Sequence, residues 1–222
     1  MTENDSQELY PSDLGTQEYW EKTYALEIAN FRSHGDVGEV WFGEDSALRI
    51  VRWMRSRTDL INQNDKIIDL GCGNGMMLVE LAEEGFKNMT GVDYSKKAID
   101  LARGVLKNKE LSNIDLQVCD ILSEDQSSLT SDFKVAHDKG TYDAISLNPD
   151  NPKEKREKYI KNVHNILLPN GLFILTSCNW TESELQSQFK DYFKVLQMIP
   201  TPSFKFGGKV GNTVTSVVFQ KI

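Results

Sequence analysis

The run Ile68-Asp69-Leu70-Gly71-Cys72-Gly73-Asn74-Gly75 constrains this chain more than any other part of it. A short apolar stretch, 67–70, ends at the first of three glycines on alternate positions. A helix-forming stretch, 76–84, follows at once and is stopped by Gly85. Strand, glycine turn and helix together begin a βα unit. Each glycine lacks a Cβ, so the backbone can turn tightly and let a ligand come close. The dinucleotide fingerprint G-x-G-x-x-G would place its third glycine at 76, where Met76 stands, so a nicotinamide-dependent oxidoreductase is disfavoured. Taken alone, the loop also fits a tight strand-to-helix turn with no ligand.

The pattern then repeats. A strand at 90–92 leads to Asp93, and Ser95 caps a helix with the apolar face Ala98, Ile99, Ala102, Val105 and Leu106. A third strand, 114–118, leads to Cys119-Asp120, and the polar run 123–132 is a loop. One strand lies within 133–137 and a further apolar stretch within 142–147; periodicity alone does not decide which belongs to the central sheet. The charge-rich stretch 151–158 leads into a helix carrying Tyr159, Ile160, Val163, Ile166 and Leu167, closed by Pro169-Asn170-Gly171. After a buried strand at 172–176, Thr181 and Glu184 form a capping box. Two strands, 193–199 and 213–220, are joined by the Gly-rich stretch 204–212 as an antiparallel hairpin. Upstream, Leu48, Val51 and Met54 mark an amphipathic helix over 44–57.

This alternation predicts a doubly wound α/β fold, with a largely parallel sheet and helices on both faces. One domain is expected over 14–222, made of an N-terminal helical cap, 14–65, and a sheet core, 66–222. The polar, acidic stretch 1–13 is expected to be a disordered tail. Ligands of such sheets sit beyond the carboxyl ends of the strands.

There Asp69, Asp93 and Asp120 end three successive strands and would converge on one crevice. Asp93 is placed to accept hydrogen bonds from both ribose hydroxyls of an adenosine, and Asp120 from the adenine amino group. Each acid alone would also suit a helix cap or a solvated turn.

Composition narrows the chemistry. A net charge of −8 gives no basic footprint for phosphates, so nucleic acid is disfavoured as a direct substrate, while a basic protein would be attracted. Cys72, Cys119 and Cys178 form no C-x-x-C pair, and His34, His137 and His164 fit no metal spacing, so reduced thiols and no metal are expected. No stretch approaches the ~20 apolar residues of a membrane span, and no basic-then-apolar leader opens the chain. The expectation is a soluble cytoplasmic protein, present in the nucleus as well, without membrane contact.

These features resemble the seven-stranded, class I S-adenosylmethionine-dependent methyltransferases. The resemblance implies a Rossmann-like sheet ending in an antiparallel hairpin. It also implies that S-adenosylmethionine is the cofactor and S-adenosylhomocysteine the product. Asp69, Gly71, Cys72, Gly73 and Gly75 would surround the methionine moiety and adenosine, Asp93 with Tyr94 the ribose, and Asp120 with Ile121 the adenine. Four further segments are more specific: Gly38-Glu39-Val40-Trp41-Phe42-Gly43, the run 138–150 beginning Asp138-Lys139-Gly140-Thr141, Thr176-Ser177-Cys178-Asn179-Trp180-Thr181, and Pro200-Thr201-Pro202 with Phe204-Lys205-Phe206-Gly207-Gly208. Together they are similar to the eukaryotic elongation factor 1-alpha lysine methyltransferase 2 family, the methyltransferase-like 10 type. That similarity implies a protein-lysine methyltransferase acting on elongation factor 1-alpha, a basic protein; a monomer is expected.

No Pro-Pro follows the fourth strand, which disfavours adenine-N6 and glutamine acceptors. Asn148-Pro149-Asp150 is expected to start the long helix. Asp138 is the candidate for positioning the lysine amine, with a turn residue bonded to its own loop as the alternative. Trp41, Asn179 and Trp180 are candidates for walling the channel, although burial in the core is the commoner fate of tryptophan. The competing functions are methylation of a small metabolite and S-adenosylmethionine binding without turnover.

Overall fold

The computed structural model describes residues 8–124, 129–206 and 209–222. Seven strands form one sheet in the order β3-β2-β1-β4-β5-β9-β6. They are β1 (Lys66–Leu70), β2 (Asn88–Asp93), β3 (Asp115–Val118), β4 (Phe133–Lys139), β5 (Leu167–Ser177), β6 (Phe193–Ile199) and β9 (Thr215–Lys221). The pairings from β3 through to β5 are parallel, and β9 runs antiparallel between β5 and β6. The expected seven-stranded, doubly wound sheet and its terminal antiparallel strands are therefore present. The Gly-rich connection between β6 and β9 carries its own small hairpin, β7 (Ser203–Phe206) with β8 (Lys209–Asn212).

Side-chain alternation divides the core in two. Ile68 and Leu70 of β1, Ala136 of β4, Phe173 and Leu175 of β5, and Val217 and Phe219 of β9 face α6 (Pro152–Ile166) and α7 (Glu182–Phe189). Their neighbours Ile67, Val135, Leu172, Ile174 and Val218 face α2 (Glu44–Ser56) and α3 (Met76–Glu83). Burial of each of these side chains except Ala136 is worth ~1.5 to 3 kcal/mol. On the first face Phe189 stacks on Phe219 with ring centroids 4.9 Å apart, which adds a directional contribution. The Thr181–Glu184 capping box at α7 is complete.

The structure adds detail at several points. Within the stretch 14–65, Ile50, Val51 and Met54 of α2 lie in the helical layer against the sheet. Only α1 (Gln17–His34) is peripheral, laying Tyr24, Ile28 and Phe31 against Leu101 and Val105 of α4 (Lys96–Asn108). The stretch 142–147 is helical, as α5 (Thr141–Ser146), and β4 is the strand in the sheet. Gly140 permits this reversal, with a φ of 95° that side chains disfavour. Residues 8–13 of the presumed tail are anchored, because Glu8 accepts two bonds from the buried Arg156 guanidinium at 2.5 and 3.0 Å, and Ser12 N–H donates to Leu147 O at 3.0 Å. Residues 1–7 lie outside the described chain. The run 148–150 precedes α6, whose first residue is Pro152. Among the described residues no helix is long and apolar enough to cross a membrane.

The chain enters the sheet at β1, builds outward to β3, then crosses back to β4 on the other side of β1. The strand order reverses between β1 and β4, and the loops leaving their carboxyl ends part to open a crevice.

Candidate functional site

A cleft of about 650 Å³ occupies that crevice. The glycine loop forms its floor. Gly71 N–H and Cys72 N–H both donate to Val92 O, at 2.8 and 2.9 Å, so the loop after β1 is pinned to the end of β2. Asp93 completes the connection: one carboxylate oxygen accepts from Gly73 N–H at 3.1 Å and the other from Ser95 N–H at 2.8 Å. Burial pushes the Asp93 carboxyl up to about 6, against the lowering effect of those two bonds.

The tight turn expected of the glycines is present, with φ of 68°, 53° and 78° at Gly71, Gly73 and Gly75, and protein atoms also stand where their side chains would be. A Cβ on Gly71 would lie 2.0 Å from Thr141 Oγ1, and that hydroxyl donates to Leu70 O at 2.7 Å. A Cβ on Gly73 would lie 2.7 Å from the Tyr24 hydroxyl. Protein atoms thus take the space, and through them the loop is tied to α5 and α1. Gly75 does not line the cleft, because it faces Ala102 of α4, whose Cβ would be 3.1 Å from its own. At this position the bare backbone serves close helix packing.

Asp69, Gly71, Cys72, Gly73, Asp93, Tyr94, Asp120, Ile121 and Trp41 all border the cleft. Asp120 accepts from Leu122 N–H at 2.8 Å. Asp69 is 2.7 Å from His137 Nδ1. Burial raises the Cys72 thiol well above its usual range, which leaves no thiolate to act as a nucleophile.

Asp138, the candidate for positioning the amine, lies elsewhere. Along β4 the side chains alternate, so Asp138 shares the face of Ala136 and is fully buried, whereas Lys139 reaches the cleft. The Asp138 carboxylate accepts from Thr141 N–H and Tyr142 N–H, each at 2.9 Å, and from the Tyr159 hydroxyl. It anchors the first turn of α5. Burial pushes it up to about 7 despite these three donors. Trp180 takes the core alternative: it is 3% exposed, and its indole N–H donates to Ser146 Oγ at 3.1 Å beneath the Arg156 guanidinium. Asn179 belongs to the same tight turn, with its N–H donating to Ser177 Oγ at 3.1 Å, and it does not border the cleft.

Trp41, named from the sequence, is one part of the cleft wall; the part that the sequence reading missed comes from α1. Trp20 donates its indole N–H to Leu14 O at 2.7 Å, stacks on Tyr24 and lies 5.0 Å from the Trp41 ring. The segment carrying Trp41 is tied down by residues of the cleft itself. Asn74 Nδ2 donates to Val37 O and Glu39 O at 3.0 and 3.2 Å, and Lys139 Nζ donates to Trp41 O at 2.9 Å. Burial lowers the Lys139 pKa, although Asp69 and Asp138 oppose the shift. The one local signal for this wall was the four-residue spacing of Trp20 and Tyr24, which puts both rings on one helix face.

Comparison with known proteins follows this geometry. A family model described as a methyltransferase domain matches residues 61–215. The chain is 49% identical over 212 residues to EEF1A lysine methyltransferase 2 of Homo sapiens, covering 96% of this chain and 88% of that one. It is 37% identical over 224 residues to the protein-lysine N-methyltransferase EFM4 of Saccharomyces cerevisiae, covering 96% and 97%. Among solved structures, the N-methyltransferase NodS of Bradyrhizobium japonicum in complex with S-adenosylhomocysteine superposes with a TM-score of 0.64 at 16% identity, over 91% and 98% of the two chains. The [4+2]-cyclase SpnF superposes with a TM-score of 0.66 at 14% identity, over 96% and 97%. Likeness at that level concerns the fold alone, and a cyclase among the neighbours illustrates that the reaction must be argued from the site.

Proposed function

Because the chain belongs to the EEF1A lysine methyltransferase 2 family, within the methyltransferase-domain proteins, we propose that it transfers a methyl group from S-adenosylmethionine to a lysine side chain of elongation factor 1-alpha. The observation that carries the reading is the joining of two surfaces in one cleft. One is the acid-and-glycine rim of Asp69, Gly71, Gly73, Asp93 and Asp120; the other is the aromatic wall of Trp20, Tyr24 and Trp41. Relatives of nearly full coverage are named protein-lysine N-methyltransferases, which fits the second surface as an acceptor channel.

The residues suit the cofactor. Each Asp93 oxygen already accepts one backbone bond and keeps acceptor capacity for a ribose hydroxyl. Asp120 lies at the end of β3, where an adenine amino group can be met, with Ile121 and Leu122 as apolar neighbours. The volume of the cleft falls within the ~300 to 1,000 Å³ usual for small-molecule sites. When bound, S-adenosylmethionine supplies a methyl group made electrophilic by its positive sulfur.

What remains for the protein is orientation and desolvation. The glycine loop and Asp93 are held by these hydrogen bonds before any ligand arrives, which lowers the freedom to be lost on binding. Trp41 and Trp20 can carry the alkyl stem of a lysine on their faces and tolerate its ammonium. Attack needs the neutral amine, and an aromatic, water-poor channel favours it by penalising the charged form. The same penalty lowers Lys139 nearby. Asp138 has no part in this chemistry except through the placement of α5, which brings Thr141, Ala144 and Ile145 to the cleft.

The test is incubation of the purified chain with methyl-labelled S-adenosylmethionine and purified, folded elongation factor 1-alpha, followed by mass spectrometry. The expected product is methyl-lysine on that protein. Label confined to arginine, glutamine or a small molecule would overturn the reading. Binding of S-adenosylhomocysteine without any transfer would point instead to a binding protein.

A further inference from the structure

We propose that His137 is a positioning residue for the cofactor site, using one ring nitrogen only: Nδ1–H holds the Asp69 carboxylate in the orientation it presents to the cleft. The inference rests on the reading that Asp69 contacts the cofactor.

Asp69 and His137 are register partners on the parallel strands β1 and β4, so their side chains leave the same face of the sheet side by side. His137 Nδ1 lies 2.7 Å from Asp69 Oδ1, and His137 is fully buried. A carboxylate can only accept, so the proton of that bond sits on Nδ1. The other nitrogen, Nε2, is buried without a partner among the described residues. The next residue in the row, on β5, is Ile174, which offers nothing to bond. An unpartnered nitrogen in the core is a cost that an aliphatic side chain of similar size would avoid. What the imidazole brings in exchange is a single donor fixed at Nδ1.

The position of that donor matters because Asp69 stands where β1 gives way to the glycine loop. Its carboxylate is nearly buried yet borders the cleft. A carboxylate with a fixed partner on one oxygen keeps a fixed direction for the other. Without the partner it can rotate, and the site loses its preorganised acceptor.

The unused Nε2 makes the idea sharp. Asparagine places an N–H near the position of Nδ1, and glutamine places its amide near that of Nε2. His137→Asn is therefore expected to bind S-adenosylhomocysteine within about threefold of wild type, whereas His137→Leu and His137→Gln bind it roughly tenfold or more weakly, as for loss of a hydrogen bond to a charged group. Calorimetry on the full chain measures this, with circular dichroism to establish that each variant folds. Equal binding by the asparagine and glutamine variants would overturn the proposal, and so would unchanged binding by the leucine variant. If the leucine variant does not fold, the asparagine and glutamine pair still decides. On the wild-type protein, nitrogen-15 NMR of labelled histidine should place the proton of the buried ring on Nδ1; a proton on Nε2 would refute the idea without any mutation. Asp69→Asn separates the two readings. If it leaves binding unchanged, the placement of the cofactor at Asp69 is wrong; if it weakens binding while His137→Leu does not, only the role given to His137 is wrong.

Discussion

The hydroxyl of Tyr24 stands over Gly73 so closely that a Cβ on the glycine would lie 2.7 Å from it. A residue of the N-terminal helix thus closes onto the loop that begins the sheet domain, and the loop must remain bare to admit it.

From this contact, Gly73→Ala is expected to fail on two counts. The backbone at 73 has a φ of 53°, which costs a side chain ~1 to 2 kcal/mol. The added methyl also displaces the Tyr24 hydroxyl and with it the wall of the cleft. Adding Tyr24→Phe removes the colliding oxygen but not the backbone strain, so the double variant should regain part of the affinity for S-adenosylhomocysteine and none of the lost stability. Calorimetry and thermal melts measure the two effects separately. Wild-type affinity in the single variant would show that the contact is immaterial.

For Asp93 the expectation concerns pH. Burial holds its carboxyl near 6, and only the anion is a full acceptor for two hydroxyl donors. Affinity for S-adenosylhomocysteine should therefore fall as the pH drops through 6. Asp93→Asn should bind roughly tenfold or more weakly at pH 7.5 and lose this dependence. The effect on folding has the opposite sign. With a folded pKa above the ordinary 3.8, the group's contribution to stability is full below 3.8 and is lost as the pH rises through 6. A flat binding profile in wild type would remove Asp93 from the ligand.

Asp138→Asn should reveal a structural role. Asparagine has one acceptor oxygen for the two N–H groups at the start of α5, and leaving a buried donor unpaired costs ~1 to 3 kcal/mol. The expected signs are a lower melting temperature and faster amide exchange in Thr141–Ser146. Because burial raises Asp138 to about 7, its contribution is full below pH 3.8 and is lost as the pH rises through 7, so the advantage of wild type over the variant should shrink across that window. If the variant melts like wild type and only its turnover falls, Asp138 acts in the chemistry after all.

The two tryptophans should separate cleanly. Trp180→Ala empties a core site and is expected to cost ~3 to 5 kcal/mol of stability. Trp41→Ala should leave the melting temperature nearly unchanged and raise KM for the protein substrate by about 2-fold to 30-fold, the range of a cation–π contact. Steady-state kinetics at a temperature where both variants are folded distinguishes them. An unchanged KM in the Trp41 variant would exclude it from the channel.

Much of this protein was legible locally. The strand-turn-helix rhythm, the Ser95 cap, the Thr181–Glu184 box and the acids at the ends of β1, β2 and β3 are all written in residues a few positions apart, because periodicity and capping are short-range physics. Their convergence followed from the parallel sheet, which puts every strand's carboxyl end on one edge. The role of each side chain at that edge was settled by partners far along the chain. Asp138 and Lys139 are adjacent, yet the pleat sends one under α5 and the other into the cleft. Gly71 and Gly73 read as room for a ligand until Thr141 and Tyr24 were found beside them. His137, which fits no motif, gains its meaning only from register with Asp69, a residue 68 positions away. Sequence determines which residues can serve a site through local rules, whereas direction, burial and partnership depend on which strands and helices meet, and only tertiary packing supplies that.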